Sequence, residues 1–534
     1  GGWGGGGGGN DSNSGPGGPG DPPPSPPPPP TAPPASDVQL TLSTPPISTS
    51  MAFGSDIRVG VAGQWTASGP GGQVFLQVAD DHETFVTPEI TATTQRDFSY
   101  QLPVSDVHGP STRKGTLTVR ACEDTQCAKP YAKGTQTLAY TIEIQAVPEW
   151  ETTQGNAAHN GYVSATLDVA KFTKAWEWKR PGVTTTGATG AIFPPVTSGR
   201  IVYVTANGIS SAGPAVFAIN EKDGSVRWTQ PVPLVSGSMN PPAASERRVY
   251  VPTTGHGETF LWSFDGDEGT PGVKWSFDSQ WSDVLAPTVK DGIAYVNAGS
   301  TTGVVYAFDR ETGLDTWQAP GGTSGMNTPA VDDAKRLYTH DGDTLLIRDA
   351  ITGTSLGKVG TGSGSMDFDY IGTPIVGAKD SVTALVGPSW TLPEDRQLRN
   401  YAVDTRSVRW TSVKTYRRFP AVAKGVVYAT SNNPLSLDAL DETTGQLLWS
   451  WSPAASDNAF IHNVVVTDNL AFVSTTRSLY AIDLVQHKPV WQVAAPGYVA
   501  ISGSRMIYVM TGVLDDFGYP TGGSDGRLLA YRTR

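Results

Sequence analysis

Charge is scarce in this chain: only 16% of residues are charged, and 38 Lys and Arg against 50 Asp and Glu leave a net −12. With no positive field to hold a phosphate backbone, a nucleic-acid binder is excluded, as is electrostatic docking on an anionic leaflet. No run approaches the roughly 18 consecutive apolar residues of a membrane-spanning helix. Methionine is rare, at six residues, and no amphipathic helical periodicity appears. In their place stand 61 Gly, 42 Pro and 15 Trp, the composition of an all-β, turn-rich protein.

Sulfur chemistry is confined to Cys122 and Cys127. The turn residues Glu123-Asp-Thr-Gln126 between them could bring the thiols together as a hairpin clip. Two thiols with no histidine nearby are too few to hold a metal. A disulfide implies an oxidising compartment; the alternative is a pair of exposed, unpaired thiols. The seven histidines, His82, His108, His159, His256, His340, His462 and His487, show no metal-ligand spacing, so turn and surface roles are expected. Asp367-Phe-Asp-Tyr370 and Asp515-Asp516 offer hard oxygen ligands of the kind Ca²⁺ takes, but they read first as solvated loop acids.

Three regions divide the chain. Residues 1–36 are Gly- and Pro-rich and cannot build a core, so a disordered tether is expected, semi-rigid where proline dominates. Residues 37–147 carry short runs of period-two alternation: Val38–Leu42, Ile57–Val61, Val74–Val78, Gly115–Arg120 and Leu138–Ile144. Turn clusters such as Ser68-Gly-Pro-Gly-Gly72 separate these runs. About seven such strands in roughly 110 residues predict a β-sandwich.

From 148 to 534 one phrase recurs. It reads Tyr306-Ala-Phe-Asp309, Gly313, Trp317, and again Ala439-Leu-Asp441, Gly445, Trp449. Phe217-Ala-Ile-Asn220, Gly224, Trp228 puts Asn at the acid, and Tyr480-Ala-Ile-Asp483, His487, Trp491 puts His at the glycine. Asp349, Gly353, Gly357 lacks the tryptophan; Asp265 to Trp275 carries a two-residue insertion, and Tyr401-Ala-Val-Asp404 to Trp410 a two-residue deletion. The acid can bond the backbone of a turn, glycine supplies the positive φ the turn needs, and tryptophan buries a large ring between neighbouring sheets. Upstream, Pro195, Pro287, Pro329, Pro374 and Pro420 each lead into an inner strand. Each unit is therefore a four-stranded antiparallel blade. Third strands number eight and the fourth strands after them only seven, so Ala175-Trp-Glu-Trp-Lys179 should supply the missing one and close the ring.

This pattern resembles the PQQ-like, quinoprotein-type propeller repeat, and Gln154-Gly-Asn-Ala-Ala-His-Asn-Gly-Tyr162 resembles the segment that opens such domains. The stretch from Gly115 through Cys122, Cys127 and Tyr140-Thr-Ile142 is similar to Ig-like modules of bacterial secreted proteins. The resemblance implies an all-β chain: tether, Ig-like β-sandwich, and eight-bladed propeller closed by its N-terminal strand. The quinone-dependent members of the family carry adjacent cysteines beside their cofactor and a Ca²⁺ held by carboxylates. This propeller has no cysteine, so no cofactor is expected.

The resemblance extends to BamB-type outer-membrane lipoproteins, which implies a non-catalytic, exported interaction protein, periplasmic or at the cell surface. It also implies protein partners or self-association. The opening Gly1-Gly-Trp-Gly-Gly and Pro22-Pro-Pro-Ser-Pro-Pro27 resemble the segment behind a lipidated cysteine, implying a lipid anchor in the outer membrane. An adhesive or filament-forming surface role fits the Ig-like module, and a degenerate quinoprotein or carbohydrate-active enzyme is the remaining alternative. Gly522-Gly-Ser-Asp-Gly526 matches a nucleophile elbow, but the strand Arg527–Tyr531 follows it directly, so a hairpin turn is expected. The candidate partner-binding residues lie in inserts beyond the minimal blade: Trp390 and Arg396 in Pro388–Leu398, Phe517 and Tyr519 in Val513–Pro520, and Tyr416 and Arg417 leading into an inner strand.

Overall fold

The computed structural model describes residues 32–105, 107–182, 192–209, 212–276, 286–298, 303–322, 328–360, 373–387, 396–512 and 526–534. The N-terminal region holds eight strands: β1 (Gln39–Leu42), β2 (Ile47–Ala52), β3 (Arg58–Thr66), β4 (Val74–Asp80), β5 (Thr91–Thr93), β6 (Asp97–Pro103), β7 (Ser111–Cys122) and β8 (Pro130–Gln145). The predicted runs fall on β1, β3, β4, β7 and β8. Alternation buries one face of each, with Leu40, Val61, Trp65, Leu117, Val119 and Ile142 inside.

The expectation of two separate sheets is corrected. One ladder runs β5-β4-β7-β8-β1-β3-β6, with β2 also on β8. The long β7 and β8, of 12 and 16 residues, carry it across. A period-two pattern fixes which face of a strand is buried, not how strands are shared between sheets. The β7–β8 turn holds the Cys122–Cys127 disulfide. Asp124 organises that turn by accepting the amides of Gln126, Ala128 and Lys129, which holds its carboxyl below the usual range.

Eight separate sheets follow, and they are the blades of the propeller. Blade 1 is typical: Val196–Ser198, Ile201–Ala206, Ala215–Asn220 and Val226–Pro231, antiparallel in chain order. In blade 2 the inner edge is split into Ser238–Met239 and Ala243–Ser245, since Pro241 and Pro242 between them have no N–H to give a ladder. The last blade joins Gly497–Ile501, Ile507–Thr511 and Arg527–Arg532 to β9 (Thr173–Lys179). Leu528 faces Trp178 and Ala530 faces Trp176 across that seam, so the two ends of the ring are sewn together as predicted.

The recurring phrase has a direct structural meaning. Asp265, Asp309, Asp349, Asp441 and Asp483 each accept two amides of their own turn, as Asp309 does from Glu311 and Thr312 and Asp441 from Thr443 and Thr444. The tryptophan then reaches into the next blade. Trp410 of blade 5 donates Nε1–H to the Glu442 carbonyl of blade 6 at 2.8 Å, and a Cβ on Gly445 would stand 2.6 Å from its ring. Trp176, Trp228 and Trp317 bond the carbonyls of Glu221, Gly266 and Ala350 in the same way, lying against Gly224, Gly269 and Gly353. The glycine therefore serves both the turn and the ring laid on it. Where blade 7 has His487 instead, at φ 58°, its imidazole stacks on Trp449 with ring centroids 4.5 Å apart.

Candidate functional site

The segment 149–163 bonds to each of the eight blades in turn. Glu149 Oε2 accepts the Gly503 amide of blade 8 at 2.8 Å. Trp150 exchanges hydrogen bonds with Thr197 of blade 1, and the Glu151 carbonyl accepts from Ala244 of blade 2. Thr152 Oγ donates to the Pro287 carbonyl of blade 3 at 2.8 Å. The carbonyls of Ala157, Ala158, Asn160 and Gly161 then take the amides of Val331, Val376, Val422 and Val466 in blades 4 to 7, at 2.8–2.9 Å.

Two side chains fix this strap from within. Gln154 Nε2 lies 2.9 Å from the Val464 carbonyl and 3.0 Å from that of Pro420, while its Oε1 accepts from Asn463 Nδ2 at 2.9 Å. His159 is fully buried. One ring nitrogen faces the Thr153 carbonyl at 2.6 Å, and the other lies beside the Pro329 carbonyl and Thr288 Oγ. Burial holds its pKa below the ordinary histidine value.

The strap meets the inner strands near their C-terminal ends, beside the turns into the second strands. It therefore covers one mouth of the channel. Antiparallel alternation puts the turns between third and fourth strands at that same face. The turns between second and third strands, and the links from blade to blade, belong to the far face. Along the wall, polar side chains tie neighbouring blades: Thr205 to the Asn240 carbonyl, Ser474 to that of Gly497, and Asn463 to that of Val499. Near its far end, Arg418, Phe419, His462 and Tyr498 gather, with the Arg418 guanidinium 5.5 Å from the Phe419 ring and both Phe419 and His462 packing edge-on to Tyr498. Burial, with Arg417 and Arg418 beside it, lowers the His462 pKa to about 4, so it is neutral near pH 7.

Acidic groups collect at the strap face. Burial, with the Glu149 and Glu246 charges nearby, raises Glu151 to about 8. Glu221, which accepts from Tyr508 and Ser504, is raised to about 7 by burial and by Glu149. Glu149 is also raised by burial.

Of the predicted candidates, Trp390, Phe517 and Tyr519 lie outside the described residues, as do the Asp367–Tyr370 and Asp515-Asp516 acids and Ser524 of the elbow-like sequence. Tyr416 is buried and donates to Asp438 at 2.8 Å, beside Lys414 and Ser450 on the same carboxylate. Arg396 is buried with Nη1 on the Gly387 carbonyl at 2.7 Å. Both sit inside the blade, on strands whose inward side an aromatic or basic residue type does not reveal. Arg417 is half-buried, its amide on the Thr430 carbonyl. Sequence reasoning missed the roles of Gln154 and His159; the only signal was their place in the opening segment. Among the described residues no group of three His, Cys, Asp or Glu is placed to hold a metal ion. No described helix is long and apolar enough to cross a membrane.

A family model described as outer membrane protein assembly factor BamB matches residues 159–285, 272–438 and 435–533. Among solved structures, a europium-containing methanol dehydrogenase is similar with a TM-score of 0.53 and 13% identity, over 72% of this chain and 98% of that one. The quinohemoprotein alcohol dehydrogenase of Comamonas testosteroni is similar at 0.52 and 14%, over 72% and 80%. BamB from Moraxella catarrhalis aligns at 0.49 and 16%, over 68% and 97%. At these identities the likeness is one of fold. No curated protein matches the sequence.

Proposed function

The chain belongs to the family described as outer membrane protein assembly factor BamB, and from that premise we propose that it is a non-catalytic scaffold of the cell envelope that holds other proteins on the propeller. The observation that carries this reading is the strap. A segment bonded to all eight blades commits one mouth of the channel to structure, which leaves the far face for a partner. Loops placed by a rigid scaffold are where binding residues concentrate. In sequence, Trp390 falls between the second and third strands of blade 5, and Phe517 and Tyr519 between those of blade 8, and large aromatics make strong interface anchors.

The disulfide suits an oxidising compartment outside the cytoplasm, and the Gly- and Pro-rich N-terminus suits a spacer behind a lipid anchor. The N-terminal sheet domain acts in this reading as a second spacer or an adhesive unit. The test is affinity capture from native envelopes with the full chain and with Trp390, Phe517 and Tyr519 together changed to alanine. Loss of a specific protein partner from the triple variant is expected; unchanged capture rejects these loops.

A further inference from the structure

The outer half of blade 5 lies apart from both the strap and the far face. Residues 399–414 hold four basic residues and one acid, Asp404, in a chain of net charge −12. Three of these cations meet only neutral groups. Arg399 bonds Thr411 Oγ and the Asp343 carbonyl. Arg406 bonds the carbonyls of Val403 and Leu356, and Arg409 reaches Asn400 Oδ1. The strand they flank, Ser407–Tyr416, has ten residues, more than any other fourth strand among the described residues. It is the outer edge of its sheet. It exposes Val408 by 42% and Val413 by 97%. Bulges interrupt the ladder over Ser412–Lys414, where the register jumps between Gln397 and Arg399, and again at Arg409, between Asn400 and Tyr401, so Ser407–Thr411 is an edge kinked at its middle residue.

We propose that this edge docks an acidic, extended segment of a partner protein, added as a fifth strand beside Ser407–Thr411. Basic residues and a bulge on an edge strand keep a second copy of the same edge away, because like charges meet. The same charges favour a strand of opposite sign, so one arrangement rejects self-pairing and selects an acidic partner. The unpaired backbone groups supply the hydrogen bonds and Val408 an apolar contact, as strand addition uses. The inference deepens the scaffold reading by naming a class of partner, and it rests on that reading.

The experiment uses fluorescence anisotropy with the full chain and a labelled ten-residue peptide alternating Glu or Asp with Val or Thr. Binding that weakens at least tenfold in Arg409→Glu and in Val408→Glu is expected. The circular dichroism and melting of both variants should match the parent. Methylating alternate peptide amides should weaken binding by a similar factor, since the methylated face cannot join a ladder. Binding that survives Arg409→Glu or amide methylation overturns the proposal. So does heparin binding lost in the same variants while the peptide shows none, the mark of a generic polyanion surface. The Trp390, Phe517 and Tyr519 triple variant should bind the peptide as the parent does. If the peptide fails while capture by the far-face loops stands, the edge proposal falls alone.

Discussion

Arg406 fills the space beside Gly357 that an indole fills at other blade junctions. A Cβ on Gly357 would stand 3.0 Å from Arg406 Nε, and Nη2 of the same guanidinium donates to the Leu356 carbonyl at 2.7 Å. The two irregular copies of the repeat, one without its tryptophan and one with a shortened turn, are therefore complementary. The arginine of blade 5 lies where the ring of blade 4 is missing, and Arg406→Ala should destabilise the propeller by about 1–2 kcal/mol through lost packing and hydrogen bonds, measured by urea unfolding.

The regular junctions lend themselves to a double-mutant cycle. Trp410→Ala is expected to cost about 3–5 kcal/mol, as truncation of a buried indole does. Gly445→Ala places a Cβ 2.6 Å from the Trp410 ring at φ +75°, with an expected cost of about 1–3 kcal/mol. In the Trp410→Ala background the steric part of that cost should vanish, leaving only the backbone part. Additive effects would mean that the ring and the glycine do not act as one contact.

The strap should open locally when its internal tie is cut. Gln154→Ala leaves Asn463 Nδ2 without its Oε1 partner, and removing one buried partner costs about 1–3 kcal/mol. Hydrogen exchange at Val422 and Val466, whose amides bond strap carbonyls, should accelerate well beyond exchange in the third strands. Uniform acceleration would indicate global destabilisation instead.

Stability should fall with rising pH. Glu151 and Glu221 ionise near 4.5 when unfolded but at about 8 and about 7 in the fold. Between those values the native state binds more protons than the unfolded one, so their contribution is fully present below about pH 4.5 and is lost as pH rises through 7 to 8. Glu151→Gln should flatten this slope, with the variant gaining on the parent above pH 7 and matching it at pH 4. An unchanged slope would place Glu151 in a more solvated setting.

The blades were legible because each repeats a local rule: acid, glycine and tryptophan at fixed spacing. The missing fourth strand could even be assigned to 175–179 by counting. The strap was not legible, since Thr152, Gln154 and His159 each answer to a different blade and share no period. Tyr416 and Arg396 looked like surface anchors because aromatic and basic residues in a non-repeating stretch read that way. Their partners, Asp438 and the Gly387 carbonyl, come from the fold. In the N-terminal domain, alternation showed five of the strands but not that β7 and β8 are long enough to merge the sheet.

Site-specific photo-crosslinking in native cells tests the scaffold reading most directly. A benzophenone side chain at Val235 or Asn433 reports on the far face, and one at Asp333 or Val485 on the strap face; all four positions are exposed. The account predicts adducts with the same partner protein from Val235 and Asn433 and none from Asp333 or Val485. Partner adducts from the strap face, or no protein adduct from any of the four, would contradict it.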